Sequence, residues 1–252
     1  MQGLVIEGKK LNGLQNISFN YNVGEEAVLN LGKSFNATQI VSPTTVQLNV
    51  DKFLVNNDYV TGLTGKTNIS GQFEYDGNYL NFNSGALLGY TVTASVGGLP
   101  EIAFDLAIYG DISGFDTAVT SSDDNSIYDV NQDNISITYD KSAENPIQSF
   151  TYSENYNFQP IYGLNIEGRP SEIKLIGPIT QELEVAIEVE DFEFENNFSF
   201  LSGAKDRNRN ISVSVGNNSF ALENAILVGE SKSLSVSNTV TATIRYRGFK
   251  QV

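Results

Sequence analysis

The stretch Glu182-Leu183-Glu184-Val185-Ala186-Ile187-Glu188-Val189-Glu190 alternates charged and apolar side chains. Successive side chains of a β-strand point to opposite faces, so the apolar residues fall on one face and the glutamates on the other. The stretch therefore predicts a half-buried β-strand. Residues 43–50 alternate in the same way and begin at Pro43, and Pro178 stands four residues before Glu182 in the second stretch.

The two halves of the chain carry the same series of segments in the same order. The matched segments are 15–19 with 148–152, 43–50 with 178–189, 73–78 with 213–218 and 102–110 with 240–248. Matched positions lie about 133 to 140 residues apart throughout. A separation that stays this constant over several segments predicts a duplicated structural unit.

The duplication predicts an all-β fold made of two tandem β-sandwich domains with little helix. We expect a first domain at residues 1–111, an acidic linker at 112–145 and a second domain at 146–252. Asp76-Gly77 and Gly216-Asn217 are two-residue hairpin signals, one in each half.

Local patterns give four further expectations. The alternation slips after Asp51-Lys52 and again at Asp191, which predicts a β-bulge at matching places in the two halves. Residues 25–31 are the best candidate for a short helix, and 222–228 are a fainter one. Residues 135–139 could form an edge strand within the linker.

Composition excludes several classes of function. The chain has 252 residues and a net charge of −15, so its surface repels phosphate, and binding to nucleic acid through neutralised phosphates is not expected. It contains no Cys and no His, which removes thiol and imidazole catalysis, disulfides and ordinary zinc sites. Any catalysis would therefore rest on carboxylates, hydroxyl groups, Lys or Tyr.

The first eight residues lack the basic start and the long apolar stretch that are typical of a signal peptide. No apolar run is long enough to cross a bilayer. We therefore expect a protein that is made in a cytoplasm and has no membrane partner.

The linker contains one candidate metal site. Its oxygen-bearing residues have the spacing of a calcium loop: Asp129, Asn131, Asp133 and Asp140. Asn134 stands where the sharp turn of such a loop usually requires glycine, and no flanking helices are predicted. A solvated acidic loop is the alternative interpretation.

The glutamates between 182 and 195 are candidates for a catalytic carboxylate cluster, because glycoside hydrolysis needs a carboxylate pair. The alternative is that they fill the polar face of a strand. The first half favours the polar face, because its matching positions are Gln47, Asn49 and Asp51, so the shape repeats and the charges do not.

Basic and aromatic residues each have two interpretations. The candidates for contact with an acidic neighbouring subunit are Lys205, Arg207, Arg209, Arg245 and Arg247, and the alternative is a solvated loop or strand. The candidates for sugar stacking are Tyr75, Tyr79, Phe82, Tyr156 and Phe158, although aromatic residues that alternate along strands more often belong to a core.

Three segments of the second half carry a resemblance to a known family. They are Ile147-Gln148-Ser149-Phe150-Thr151-Tyr152, Gln159-Pro160-Ile161-Tyr162-Gly163-Leu164 and Ile176-Gly177-Pro178-Ile179. Ala27-Val28-Leu29-Asn30-Leu31-Gly32 echoes them in the first half. In these strands and small motifs the chain resembles the tail-tube proteins of long-tailed bacteriophages.

The resemblance implies a virion structural protein that is made in a bacterial host cytoplasm and assembled into the tail. Each domain would contribute strands to a closed ring of six units, so three copies of a two-unit chain would complete a pseudo-hexameric ring. Such rings stack into a hollow tube through which DNA passes without specific binding. The other partners of the protein would be tail proteins such as the tape measure and the terminator.

The resemblance implies an architectural protein that is not an enzyme and has no cofactor. It also implies a lumen lined by polar strand faces. The candidate lumen residues are Gln47, Asn49, Asp51, Glu182, Glu184, Glu188 and Glu190. Two alternatives stay open: a tail adaptor or distal-tail ring protein of the same fold, and a two-domain carbohydrate-binding β-sandwich module.

Overall fold

The computed structural model describes the chain as an all-β protein, as the alternation predicts. The described residues are 3–22, 25–28, 37–40, 44–110, 112–115, 122–123, 135–138, 147–163, 169–189, 209–234 and 240–251. Among them, the helical structure consists of one short 3-10 turn at Val60–Leu63. No helix in this part of the chain is long and apolar enough to span a membrane.

The first half contributes nine strands to the described structure. They are β1 (Gly3–Ile6), β2 (Lys9–Lys10), β3 (Leu14–Asn22), β4 (Glu25–Val28), β5 (Ala37–Ile40), β6 (Thr45–Phe53), β7 (Ile69–Tyr75), β8 (Asn78–Ser95) and β9 (Glu101–Tyr109).

The rest of the chain contributes ten described strands. They are β10 (Ser113–Phe115), β11 (Ser122–Asp123), β12 (Ile135–Thr138), β13 (Ile147–Asn155), β14 (Phe158–Ile161), β15 (Glu172–Leu175), β16 (Ile179–Val189), β17 (Arg209–Val215), β18 (Asn218–Leu234) and β19 (Val240–Lys250).

Six strands of each half pair in the same order. In the first half the order is β1-β7-β8-β9-β6-β3, and in the second half it is β12-β17-β18-β19-β16-β13. The hairpins predicted at Asp76-Gly77 and Gly216-Asn217 are confirmed, and each joins the second and third strands of its series. The same unit is therefore built twice, and it consists of antiparallel strands throughout.

Irregularities of the strands repeat along with their order. An extra residue, Gln15, interrupts the pairing of β3 with β6. Gln148, 133 residues later, interrupts the matching pairing of β13 with β16. A second bulge at Leu88 returns at Val228, 140 residues later. Bulges bend and twist a strand, so the two units share their curvature as well as their pairing.

The two units are joined edge to edge. Strand β13 of the second unit lies antiparallel to the last seven residues of β8, with Ser149 opposite Ser95 and Asn155 opposite Gly89. Fifteen of the described strands thereby form one sheet, which is open in this part of the chain. The closed ring consequently stays a prediction.

The alternation predicted for β16 is confirmed, because Leu183, Val185 and Ile187 are buried. A bulge is found at the predicted place, Asp51-Lys52, in the pairing of β6 with β3, but the extra residue is Gln15 of β3 and not a residue of β6. Strand β6 pairs with β9 without interruption, and its alternation continues to Lys52, a buried residue in the place of an apolar one. The matching slip at Asp191 lies outside the described residues.

Both predicted helices are wrong where the structure describes them. Glu25–Val28 is strand β4, which pairs with Ala37–Ile40. Residues 222–228 belong to β18, in which Leu222 and Ala225 are buried three positions apart. That helical spacing arises because two residues of β18 bulge out opposite a single residue of β17.

Strands also extend into the predicted linker. Near its beginning, β10 pairs with β8 and β11 with β2, so both add to the first unit. The edge strand expected at 135–139 is confirmed as β12. It pairs with β17 in the second unit as β1 pairs with β7 in the first. The domain limits at residues 111 and 146 stay a prediction.

Candidate functional site

One polar face crosses both units. Cross-strand partners place polar side chains side by side from β3 through β6, β9, β8, β13 and β16 to β19. We call this surface the polar face; its polar members include Asn16, Ser18, Asn20, Gln47, Asn49, Asp51, Thr91, Thr93, Glu101, Asp105, Thr151, Ser153, Glu182, Glu184, Glu188, Arg245 and Arg247.

Both arginines of the polar face pair with glutamates of the same chain. Arg245 Nε lies 2.5 Å from Glu184 Oε2, and Arg247 Nη2 lies 2.6 Å from Glu182 Oε1. All four side chains are partly exposed, so each pair contributes little to stability but cancels charge locally. The glutamates of β16 are therefore not the bare carboxylate row that the sequence alone indicates.

The other carboxylates of the polar face form no ion pair with the described part of the chain. Asp51 accepts a hydrogen bond from Asn16 Nδ2 at 3.2 Å, and Glu188 accepts one from Gln148 Nε2 at 2.7 Å. Partial burial raises the pKa of Asp105, and the neighbouring charge of Asp51 raises it further. This region of the face is anionic.

A buried polar cluster lies where the two units meet. The carboxylate of Glu154, on β13, accepts hydrogen bonds from Tyr152 Oη at 2.5 Å, from Gln181 Nε2 at 2.7 Å and from Tyr156 Oη. Burial raises the pKa of Tyr90, Tyr152 and Tyr156 well above the ordinary value, and the Glu154 charge adds to the shift. These phenols therefore stay protonated and act as donors.

A second contact ties the hairpin of the second unit to a loop of the first. Asn218 Nδ2 donates to the carbonyl of Val55 at 2.8 Å, and Asn218 Oδ1 accepts from the Asp58 amide at 2.8 Å. Asp58 is itself held by Lys52 Nζ at 2.7 Å, and both side chains are fully buried. The junction therefore combines strand pairing with a hydrogen-bonded cap.

Several predicted site residues lie outside the described part of the chain. These are Asp129, Asn131, Asp133 and Asp140 of the candidate calcium loop, together with Glu190, Lys205 and Arg207. Arg209 opens strand β17, and nothing further is described of its side chain. Within the described ranges, no group of three or more Asp and Glu residues is placed to hold a metal ion.

The aromatic candidates for sugar stacking are mostly interior. Phe82, Tyr156 and Phe158 are buried, as the core interpretation predicts, and Tyr79 is half-buried. Tyr75 ends strand β7, and its side chain lies outside the described set.

Sequence reasoning missed the residues of the junction, because Gly89, Glu154 and Asn218 match no motif. One signal was present: Gly89 and Gly229 stand 140 residues apart, at the same place in the two copies. No protein-family model matches the chain and no curated protein is significantly similar to it, so its function is inferred from the polar face and the junction.

Proposed function

We propose that the chain is a virion structural protein, a subunit of a bacteriophage tail tube, and that three copies form each pseudo-hexameric ring. One observation carries this proposal: the same six-strand unit occurs twice, and the copies join edge to edge through β8 and β13. Two units that already share one sheet amount to a third of a six-unit ring. Closing the ring would also remove the exposed strand edges that otherwise invite aggregation.

The polar face supports a role as the wall of a conduit. It spans both units without interruption, and its charged members are six carboxylates and two arginines in the described structure. A surface with this excess of negative charge repels phosphate, so DNA can pass along it without binding. The arginines moderate the charge instead of creating a basic patch, because each is engaged by a glutamate.

In the proposed assembly, rings stack into a tube in the virion tail and contact the tape measure and terminator proteins. An adaptor or a distal-tail ring protein would use the same unit and the same junction. Stacking of identical rings distinguishes the tube subunit from these two, because they form a single ring.

Electron microscopy of the purified protein at increasing concentration tests the proposal. Rings or tubes of uniform bore are the expected result, and single rings that never stack would favour the adaptor or distal-ring alternative. A protein that stays monomeric at high concentration and binds glycans on an array would contradict the proposal and favour a carbohydrate-binding module.

A further inference from the structure

Two strand edges in this chain correspond to edges that are paired at the junction. Strand β13 lies between β16 and β8, whereas its counterpart β3 pairs with β6 alone in the described structure. The last part of β8 lies between β9 and β13, whereas the matching part of β18 has only β19 beside it among the described strands. Among the described strands, the first unit therefore has an open edge on β3, and the second unit has an open edge on the last part of β18.

Side chains on these two edges are exposed where their counterparts are covered. Tyr21 of β3 is 56% exposed, and its counterpart Glu154 is 5% exposed. Val228 of β18 is 46% exposed, whereas its counterpart Leu88 packs against the core. Exposed aromatic and aliphatic side chains beside an open strand edge are typical of an interface.

A glycine marks the place where a strand would sit. A Cβ atom on Gly89 would lie 2.7 Å from the carbonyl oxygen of Glu154, so the close approach of β13 requires glycine there. Gly229 holds the same position in the second unit, and a Cβ on it would meet nothing within 4 Å. Contacts with the described residues of the same chain therefore do not account for glycine at 229, and an incoming strand would.

The residue types that meet at the internal junction also recur, with the strands exchanged. Glu154 of β13 is directly opposite Tyr90 of β8, and the two side chains interact. The corresponding positions are Tyr21 on β3 and Glu230 on β18. The same two residue types would therefore be directly opposite each other at the second junction.

We propose that β3 of one copy of the chain adds antiparallel to the open edge of β18 of a second copy. The register follows from the internal junction: Ser18 lies opposite Ser233, as Thr151 lies opposite Thr93, and Asn22 lies opposite Gly229, as Asn155 lies opposite Gly89. The contact itself does not rest on the proposed function. Only the number of chains that close the ring does.

Disulfide trapping tests the contact, because the chain contains no cysteine of its own. The variant Ser18→Cys/Ser233→Cys should form disulfide-linked dimers and trimers on mild oxidation, since directly opposed strand residues bring their Cβ atoms within about 4.5–5.5 Å. The matched control is Thr93→Cys/Thr151→Cys, which should close a disulfide within one chain. Crosslinking in the control but not between chains of the first variant would overturn the proposal.

A second test adds a single methyl group. Gly229→Ala should fold as the parent does and yet weaken self-association at least about tenfold, because the new Cβ would meet the backbone of the incoming strand. Gly62→Ala is the matched control, since a Cβ there also meets nothing within 4 Å. Equal self-association of Gly229→Ala, Gly62→Ala and the parent, measured by analytical ultracentrifugation, would overturn the contact.

The two proposals fail in different ways. If the protein forms rings by microscopy without a Ser18–Ser233 crosslink, the β3–β18 contact is overturned and the tube function stands. If the crosslink forms but the products never close into rings, the contact is supported and the tube function is contradicted.

Discussion

At the scale of single residues, the least expected feature is a charged pair in the core. Lys52 occupies an inward position of β6, where alternation calls for an apolar side chain, and its Nζ lies 2.7 Å from Asp58. The carboxylate also accepts hydrogen bonds from the amides of Val55 and Val60. Breaking such a pair leaves an uncompensated buried charge.

We therefore predict that Lys52→Gln destabilises the protein by about 3–5 kcal/mol, because Asp58 loses its cationic partner in the interior. Lys66→Gln is the matched control: Lys66 pairs with Glu7 at 3.0 Å, but both side chains are partly exposed, so the expected cost is below about 1 kcal/mol. Urea unfolding followed by circular dichroism measures both, and similar losses would contradict the prediction.

A second prediction concerns Asp105 on the polar face. Its pKa is raised above the ordinary value of 3.8, first by burial and then by the charge of Asp51. The stability that this group contributes is therefore complete below its unfolded pKa and is lost as the pH rises through the higher folded value.

Asp105→Asn should consequently have a higher melting temperature than the parent at neutral pH, because it removes a carboxylate that is disfavoured in the folded state. The difference should shrink as the pH falls towards 3.8, the ordinary pKa of the group. Thermal melts across this range measure it, with Glu172→Gln on the exposed part of β15 as the control. A lower melting temperature for Asp105→Asn at neutral pH would refute this interpretation.

At the scale of elements, the junction of β8 with β13 depends on close backbone contact. Gly89→Ala should destabilise the folded chain by about 1–3 kcal/mol, because its Cβ would lie 2.7 Å from the Glu154 carbonyl and neither backbone can move freely. Gly114→Ala is a matched strand control, since its nearest contact would be a Leu80 methyl group at 4.0 Å. Equal unfolding midpoints for the two variants would show that the contact tolerates a methyl group.

Sequence patterns predicted the elements whose signals are local. The alternation of β16 and the two hairpins follow from neighbouring residues, and the structure confirms them. Strand β4 could not be predicted in this way, because its pairing with residues 37–40 is not a local signal and short helical patterns are ambiguous.

The errors within longer strands have specific causes. The slip after Asp51 came from counting Lys52 as exposed, although Asp58 allows it to be buried. The faint helical spacing of Leu222 and Ala225 came from a bulge that adds residues to one strand only. The junction residues stayed hidden because contacts between the two units join positions far apart in the chain, as in the bond of Asn218 to Val55.

At the scale of the whole molecule, the central claim is that an ancestral unit was doubled and that three doubled chains close a ring. The repeated strand order, the repeated bulges and the edge-to-edge joint of the units support it. Each chain would then supply two of six units and a continuous stretch of the anionic polar face.

The rotational symmetry of the assembled particle tests this claim most directly. Cryo-electron microscopy class averages of the purified protein should show rings with six similar lobes and true threefold symmetry, each pair of neighbouring lobes belonging to one chain. Rings with a number of chains other than three, or a particle in which the two units of a chain do not occupy equivalent places around the axis, would contradict it.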